Sequence, residues 1–334
     1  MSTSDICKIC KDSASSKSND DVCDVNNMLQ NMSTADDGGV SVCANCGKTD
    51  ISDNMNTCNK CKQVKYCNAA CKKKHRSKHK KKCERYAAEL HDKELFKQPP
   101  PADDCPICFV PLPTMTTGWR YQSCCGKVIC SGCVYAPVYD NQGNKVKKKC
   151  SFCRTPAPFT HKEAIERGKK RVEVNDPLAM YNLGVCYRDG LYGLPQDHTK
   201  ALEFWHQAAE LGYSPTYLNI GYAYNNGKGV DVDKKKGLHY YKLAAMMGSV
   251  MARHNLGVIE KRAGNIVRAV KHYMIAVRGG NSESLEAIKE FYTNGHAIKD
   301  DYTIALKLYQ AYLGEIKSDQ RDKAAAFSAE FRYY

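Results

Sequence analysis

The sequence predicts a multidomain chain: two small metal-binding modules in series, followed by an all-α repeat solenoid. Three observations carry that expectation. Eighteen of the 19 cysteines fall within the first 153 of 334 residues, mostly as Cys-x2-Cys pairs. Pro99, Pro100 and Pro101 interrupt the chain between two cysteine clusters and break any helix that reaches them. From Asp176 onward Ala, Leu, Tyr and Gly recur at helical spacing, in segments that repeat 32 to 37 residues apart.

Composition narrows the function classes. No stretch approaches 18 consecutive apolar residues, so no membrane-spanning helix and no membrane partner are expected. The opening residues MSTSDICKICKDSASSKSNDD hold no cationic segment followed by an apolar one, so no secretory leader is expected either. The expected location is the cytoplasm, the nucleus or both. In a reducing compartment, 19 cysteines are metal ligands before they are disulfides. The formal charge of +14 is concentrated around the cysteine clusters.

Residues 1–42 are Ser-, Asp- and Asn-rich with almost no aliphatic periodicity, which predicts a disordered tail. Cys7, Cys10 and Cys23 lie in it, three ligands with no fourth nearby.

The first cluster reads Cys43-x2-Cys46-x11-Cys58-x2-Cys61-x5-Cys67-x3-Cys71-x7-His79-x3-Cys83. Eight thiol and imidazole groups fill two tetrahedral zinc sites. The Cys-x2-Cys pairs suit tight turns, while Cys67/Cys71 and His79/Cys83 have the spacing that puts both side chains on one helix face. On these residues, with Tyr66 before Cys67, segment 43–83 resembles the MYND-type zinc finger. The resemblance implies interleaved sites, Cys43, Cys46, Cys67 and Cys71 on one zinc and Cys58, Cys61, His79 and Cys83 on the other. His75 is the competing imidazole, and the family spacing selects His79. The resemblance also implies a protein partner, a short proline-rich peptide. Lys and Arg occupy the positions before His79 where the family commonly has an aromatic residue.

Inside this segment KKKHRSKHKKK, residues 72–82, has eight Lys or Arg in eleven positions. Such a run is a solvated helix face, an import signal or a phosphate-binding patch. No aromatic residue interleaves it to stack bases. Residues 84–102 then read as a helix followed by a stiff proline-rich spacer.

The second cluster reads Cys105-x2-Cys108-x15-Cys124-Cys125-x4-Cys130-x2-Cys133-x16-Cys150-x2-Cys153. Its order of pairs and loop lengths resemble a divergent RING-type zinc finger over residues 103–156. That resemblance implies Cys105, Cys108, Cys130 and Cys133 on one zinc, and Cys124, Cys125, Cys150 and Cys153 on a second. Lys127 stands where family members usually have His. An ammonium has no lone pair to offer, so either Cys124 serves beside Cys125 or the site is incomplete. RING-type ubiquitin ligases have no nucleophile of their own and hold a ubiquitin-conjugating enzyme. Ile107 matches the apolar contact to that enzyme, and Arg154, directly after the last ligand, matches the cation that bridges enzyme and ubiquitin. The Pro common between the last two cysteines is absent, with Ser151 and Phe152 there instead.

After a linker at 157–175, Ala179-MYNL-Gly184, Thr216-YLNI-Gly221, Ala252-RHNL-Gly257 and Ser284-LEAI-Lys289 align, as do segments starting at Ala201, Gly237, Ala269 and Ala305. The third unit lacks four residues in its inter-helix loop. The pattern resembles Sel1-like repeats, relatives of the tetratricopeptide solenoid, over residues 176–315. That resemblance implies stacked helix pairs that bind proteins. Trp205, Tyr187, Tyr224, Tyr241 and Tyr273 read as packing residues, Cys186 as core, and residues 316–334 as a C-terminal cap or tail.

The fold class expected is thus two small cross-braced zinc-finger modules followed by an all-α Sel1-like solenoid, with four Zn²⁺. No phosphate loop, nucleophile elbow or catalytic residue is expected. The function read from the sequence is a zinc-binding interaction protein, a RING-type E3 ubiquitin ligase or ligase-like adaptor whose repeats recruit a partner. The competing readings are a non-enzymatic zinc-dependent scaffold and a nucleic-acid-associated regulator that uses residues 72–82.

Overall fold

A computed structural model describes residues 41–50, 54–115, 117–136 and 149–333. They form two compact units, one ending at Ala88 and the other beginning at Glu89. Cys7, Cys10 and Cys23 lie outside the described residues, as does all of segment 1–42 except Ser41 and Val42, which form a strand rather than part of a tail.

The first unit is two hairpins and a helix. Strand β1 (Ser41–Val42) pairs with β2 (Thr49–Asp50), and β3 (Asn56–Thr57) with β4 (Lys65–Tyr66), both antiparallel. A bridge from Cys43 to Lys65 ties the hairpins together. Helix α1 (Ala69–Leu95) follows, its first turn capped by Asn68, whose Oδ1 accepts from the Cys71 N–H at 2.8 Å. The buried interior is Cys43, Cys58, Cys61, Cys83, Met55 and Tyr66. So little aliphatic surface does not order a chain by burial alone.

The second unit opens with another cysteine-rich module. Strands β5 (Trp119–Gln122) and β6 (Lys127–Cys130) form a hairpin, and α2 (Ser131–Tyr135) follows directly. Helix α3 (His161–Glu173) leads into four helix pairs: α4 (Pro177–Asp189) with α5 (His198–Glu210), α6 (Thr216–Asn226) with α7 (Lys234–Met246), α8 (Val250–Arg262) with α9 (Ile266–Arg278), and α10 (Ser282–Thr293) with α11 (Lys299–Ile316). Helix α12 (Asp319–Phe327) follows, and after it a 3₁₀ turn at Ala329–Phe331. The third pair is joined by residues 263–265 alone, where the first two pairs use 190–197 and 227–233.

A small residue recurs where the helices of a pair cross. A Cβ on Gly184, Gly221 or Gly257 would run into the ring of Trp205, Tyr241 or Tyr273 respectively, at 2.8 Å in the Gly221 case. These rings are buried, and Tyr187 and Tyr224 pack in one cluster with Trp205. Cys186 packs with Ile165 and Leu183.

Three segments hold more structure than the sequence reading gave them. The linker 157–175 contains α3, started by Thr160, whose hydroxyl accepts from the Glu163 N–H at 3.1 Å, and fixed by Ile165. The segment 84–102 is not free-standing: Leu95, the last residue of α1, is wholly buried among Tyr241, Ala244, Ala245, Ala252 and Leu256. Buried Arg253 donates to the backbone carbonyls of Leu95 and Lys97, Arg268 pairs with Asp92, and Phe96 lies on His272. The C-terminal segment does not end as a tail on the array. It packs on the cysteine module, with Tyr135 against Phe327 and Phe331 and Tyr333 buried at Gly118.

Candidate metal centres

The loops that present the cysteines share one backbone frame. In each of the four Cys-x2-Cys turns closed this way, the residue after the second cysteine donates its N–H to the carbonyl of the first. These are Gly47 to Cys43 (2.9 Å), Lys62 to Cys58 (2.9 Å), Phe109 to Cys105 (2.9 Å) and Arg154 to Cys150 (3.0 Å). The donating residue is left-handed in every case, with φ of 73°, 56°, 57° and 64°. Only Gly47 adopts that conformation without steric cost; for the other three it costs about 1–2 kcal/mol each. The first cysteine's own N–H returns to a carbonyl further on, those of Lys48, Val64, Val110 and Thr155. Two sulfurs thereby leave each turn on the same side.

These turns and the helical residues assemble four clusters, each with all four ligand atoms within 4.8 Å of one another. The first is Cys43, Cys46, Cys67 and Cys71, with Sγ–Sγ distances of 3.6 Å for Cys46–Cys67 and for Cys67–Cys71. The second is Cys58, Cys61, His79 and Cys83, with Cys58–Cys83 at 3.7 Å and Cys61 Sγ to His79 Nε2 at 3.3 Å. His75 stays out of this cluster. Its Nδ1 meets the Tyr66 hydroxyl at 3.2 Å and its ring stacks on His79.

The third cluster is Cys105, Cys108, Cys130 and Cys133, with Cys108–Cys130 at 3.7 Å. The fourth is Cys124, Cys125, Cys150 and Cys153, with Cys125–Cys150 at 3.9 Å and Cys124–Cys153 at 3.4 Å. Both adjacent cysteines therefore face one point. The β5–β6 turn allows it: Gly126 sits at φ 73° and the N–H groups of Cys125 and Gly126 both reach Gln122 O. Lys127 points elsewhere, its ammonium over the Phe152 ring at 5.8 Å.

The donor sets fit zinc. A tetrahedron of sulfurs about 2.3 Å from a central ion has edges of about 3.8 Å, and the contacting sulfur pairs named above lie 3.4 to 3.9 Å apart, with every ligand atom within 4.8 Å of the others in its cluster. Four thiols this close do not all ionise on their own. The Cys130 thiol brings Cys105 down to about 4, and the same contact pushes Cys130 well up. The Thr155 hydroxyl brings Cys153 down to about 6, while burial pushes Cys124 up. A thiophilic divalent cation removes that conflict.

Two contributors to the third cluster were not visible in the sequence. Gln320 Oε1 lies 3.5 Å from Cys133 Sγ. The wholly buried Arg321 donates to the carbonyls of Val110 (3.1 Å), Pro111 (2.8 Å) and Ile316 (2.6 Å). Its charge also favours the thiolate of Cys130. Both residues come from a segment nearly two hundred positions away that carries no cysteine, so ligand spacing gives no signal for them. Ile107 and Arg154 lie on the turns of the third and fourth clusters, Ile107 36% exposed and Arg154 also exposed.

Comparison with known proteins matches the first cysteine module and the helical repeats. The MYND finger profile matches residues 43–83, and the Sel1 repeat profile matches 177–213, 214–249 and 287–311. The short-looped third pair lies between the matched repeats. Among curated proteins, the chain is similar to the ERAD-associated E3 ubiquitin-protein ligase component HRD3B of Arabidopsis thaliana, 33% identical over 103 residues, which are 30% of this chain and 16% of that protein. It is also similar to Chitin synthase regulatory factor 4 of Schizosaccharomyces pombe, 26% identical over 132 residues, 39% of this chain and 21% of that protein. The matched stretch is thus under a quarter of either relative. Among solved structures, a Sel1 repeat protein from Oxalobacter formigenes shares 25% identity with a TM-score of 0.41, over 52% of this chain and 72% of that one. The chain joins a MYND finger to a helical Sel1-repeat solenoid, with a second cysteine-rich module in the sequence between them.

Proposed function

We propose that this zinc-binding, protein-interacting chain is a ligase-type adaptor: it holds four structural Zn²⁺, two per cysteine module, and its second module recruits a ubiquitin-conjugating enzyme. In this reading Cys43, Cys46, Cys67 and Cys71 bind one zinc and Cys58, Cys61, His79 and Cys83 the next. Cys105, Cys108, Cys130 and Cys133 bind a third, and Cys124, Cys125, Cys150 and Cys153 the fourth. The observation that carries it is the interleaved, cysteine-only pair of clusters with Ile107 and Arg154 exposed on their turns. An apolar side chain and a planar five-donor cation so placed suit the two-sided grip of a conjugating enzyme and its ubiquitin. The solenoid supplies the partner, and the likeness to a protein named as a ligase component supports the assignment. A reducing compartment keeps such thiols free to bind metal, which supports a cytoplasmic or nuclear location in this reading.

Native mass spectrometry and an in vitro ubiquitination assay test the two halves separately. Four zinc ions per chain are expected; three would single out the cluster with adjacent Cys124 and Cys125. Wild type is expected to build ubiquitin chains with at least one of a panel of conjugating enzymes, and Ile107→Ala and Arg154→Ala to lose most of that activity at unchanged zinc content. A fully zinc-loaded protein inactive with every enzyme would leave the scaffold reading standing and the ligase reading dead.

A further inference from the structure

The basic run of α1 takes no part in either function above, and its placement is informative. Lys73, Lys74, Arg76, Lys78, Lys80, Lys81 and Lys82 are all exposed, and none forms an ion pair with a described carboxylate. At 100° per residue, Cys71, His75, His79 and Cys83 span about 120° of the helix; Lys73, Lys74, Arg76, Lys78, Lys80 and Lys81 fan over about 200° of the remaining arc, and Lys82 extends the run in a direction between those of Cys71 and His75, about three turns on from Cys71. They extend along about 14 Å of helix axis. The first turn of α1 holds no acidic residue. The run thus places cations toward the positive end of the helix dipole and like charges four apart. Such a sequence opposes its own helix, and local rules are broken this way where a surface has a task.

The shape of the charge selects the partner. The arc holds only Ser77 and Glu84 besides the cations, so there is no apolar face to enter a bilayer and no ring to stack unpaired bases. An acidic peptide lying along the helix would engage one narrow stripe of the fan. The B-DNA major groove, about 12 Å wide, accepts a helix of about 10–12 Å diameter and lines both its flanks with phosphates. Cations spread over about half of the circumference meet both walls at once. The A-form RNA groove is too narrow to admit a helix. We propose that residues 73–82 of α1 bind the phosphates of duplex DNA, without reading its sequence.

The test is fluorescence anisotropy of the full-length, zinc-loaded protein with a labelled 20-base-pair DNA duplex across a sodium chloride series. If five to seven phosphates are neutralised, the slope of log K against log salt is about −4 to −6, a loss of roughly a thousandfold between 50 and 200 mM. Lys78→Gln/Lys81→Gln/Lys82→Gln exchanges good helix formers for one another and flattens the slope by about 3 at unchanged zinc content. The independent set Lys73→Gln/Lys74→Gln/Lys80→Gln does the same, and Lys162→Gln/Lys170→Gln on α3 does not. Absence of duplex binding at 25 mM salt would overturn the proposal. So would an unaltered slope in both triple variants, or tighter binding to polyglutamate, anionic vesicles or single-stranded DNA than to the duplex at equal salt.

Discussion

The two cysteine modules are assembled on the same turn and held in different ways. In the first, everything that encloses the clusters lies within 41–88: two hairpins, the first turns of α1, and a buried set of sulfurs with Met55 and Tyr66. In the second, the clusters are backed by residues far along the chain. Arg321 and Gln320 come from α12, Tyr333 fills the space at Gly118, and Tyr121 bonds Asp176 at the head of the solenoid. A ligand frame is therefore a local property, whereas what stabilises it need not be.

Metal removal separates the two most sharply. A structural zinc contributes on the order of 10–16 kcal/mol to a small finger, and the first module has little else. Chelation is expected to abolish amide protection throughout 56–83, to leave partial protection in the β5–β6 hairpin, and to spare α4 through α11. Hydrogen exchange read by mass spectrometry resolves the three regions. Equal loss in both modules would mean that the C-terminal contacts contribute nothing without metal.

Arg321→Met is the next largest perturbation. It leaves three backbone carbonyls without their donor and removes a buried charge beside a thiolate cluster, a change of about 3 kcal/mol. Zinc release from the second module should accelerate at least tenfold, and that from the finger should not change. A chelator dye reports both phases on one sample.

How much of this was legible follows the same division. The finger was readable because ligand spacing is local: spacing marked the pairs, and the structure brings them together in the groups of four that the resemblance implied. The solenoid was readable because a glycine facing an aromatic ring recurs with the repeat. The opposite holds for Arg253 and Arg321, lone cations whose burial depends on carbonyls 158 and about 210 residues distant. No periodicity marks them. Helix α3 was the exception that the sequence did mark: Thr160-x-x-Glu163 is a capping signature, and it lay unread inside a supposed linker.

Asp176 gives a smaller and more specific test of the joint behind the second module. Its carboxylate accepts from Tyr121 Oη (2.8 Å), Arg171 Nε (2.9 Å) and the N–H groups of Leu178 and Ala179. Burial raises its pKa, but these donors outweigh it and hold the carboxyl below its ordinary value. The stability it adds is fully present above the unfolded value of about 3.9 and is lost only as pH falls through the lower folded one. Asp176→Asn should cost about 2 kcal/mol, with the same penalty at pH 5 as at pH 7 in denaturant melts of the zinc-loaded protein. A penalty that grows as pH falls from 7 to 5 would show a carboxyl raised above its unfolded value.

The smallest expected effect tests what the modules share. Lys62 and Phe109 occupy equivalent left-handed positions, one in each module, and both side chains are exposed, Phe109 at 76%. Replacing either with Gly removes the steric cost of positive φ, about 1–2 kcal/mol, and adds the backbone entropy of Gly, about 0.5–1 kcal/mol. The net is a gain of about 0.5 kcal/mol in each variant. Because the strain resides in the turn itself, Lys62→Gly and Phe109→Gly should slow zinc release from their own module to the same small degree, despite the different surroundings. A gain confined to the finger would show that Phe109 makes contacts in the second module that offset its strain, and the turn would no longer be the same device in both.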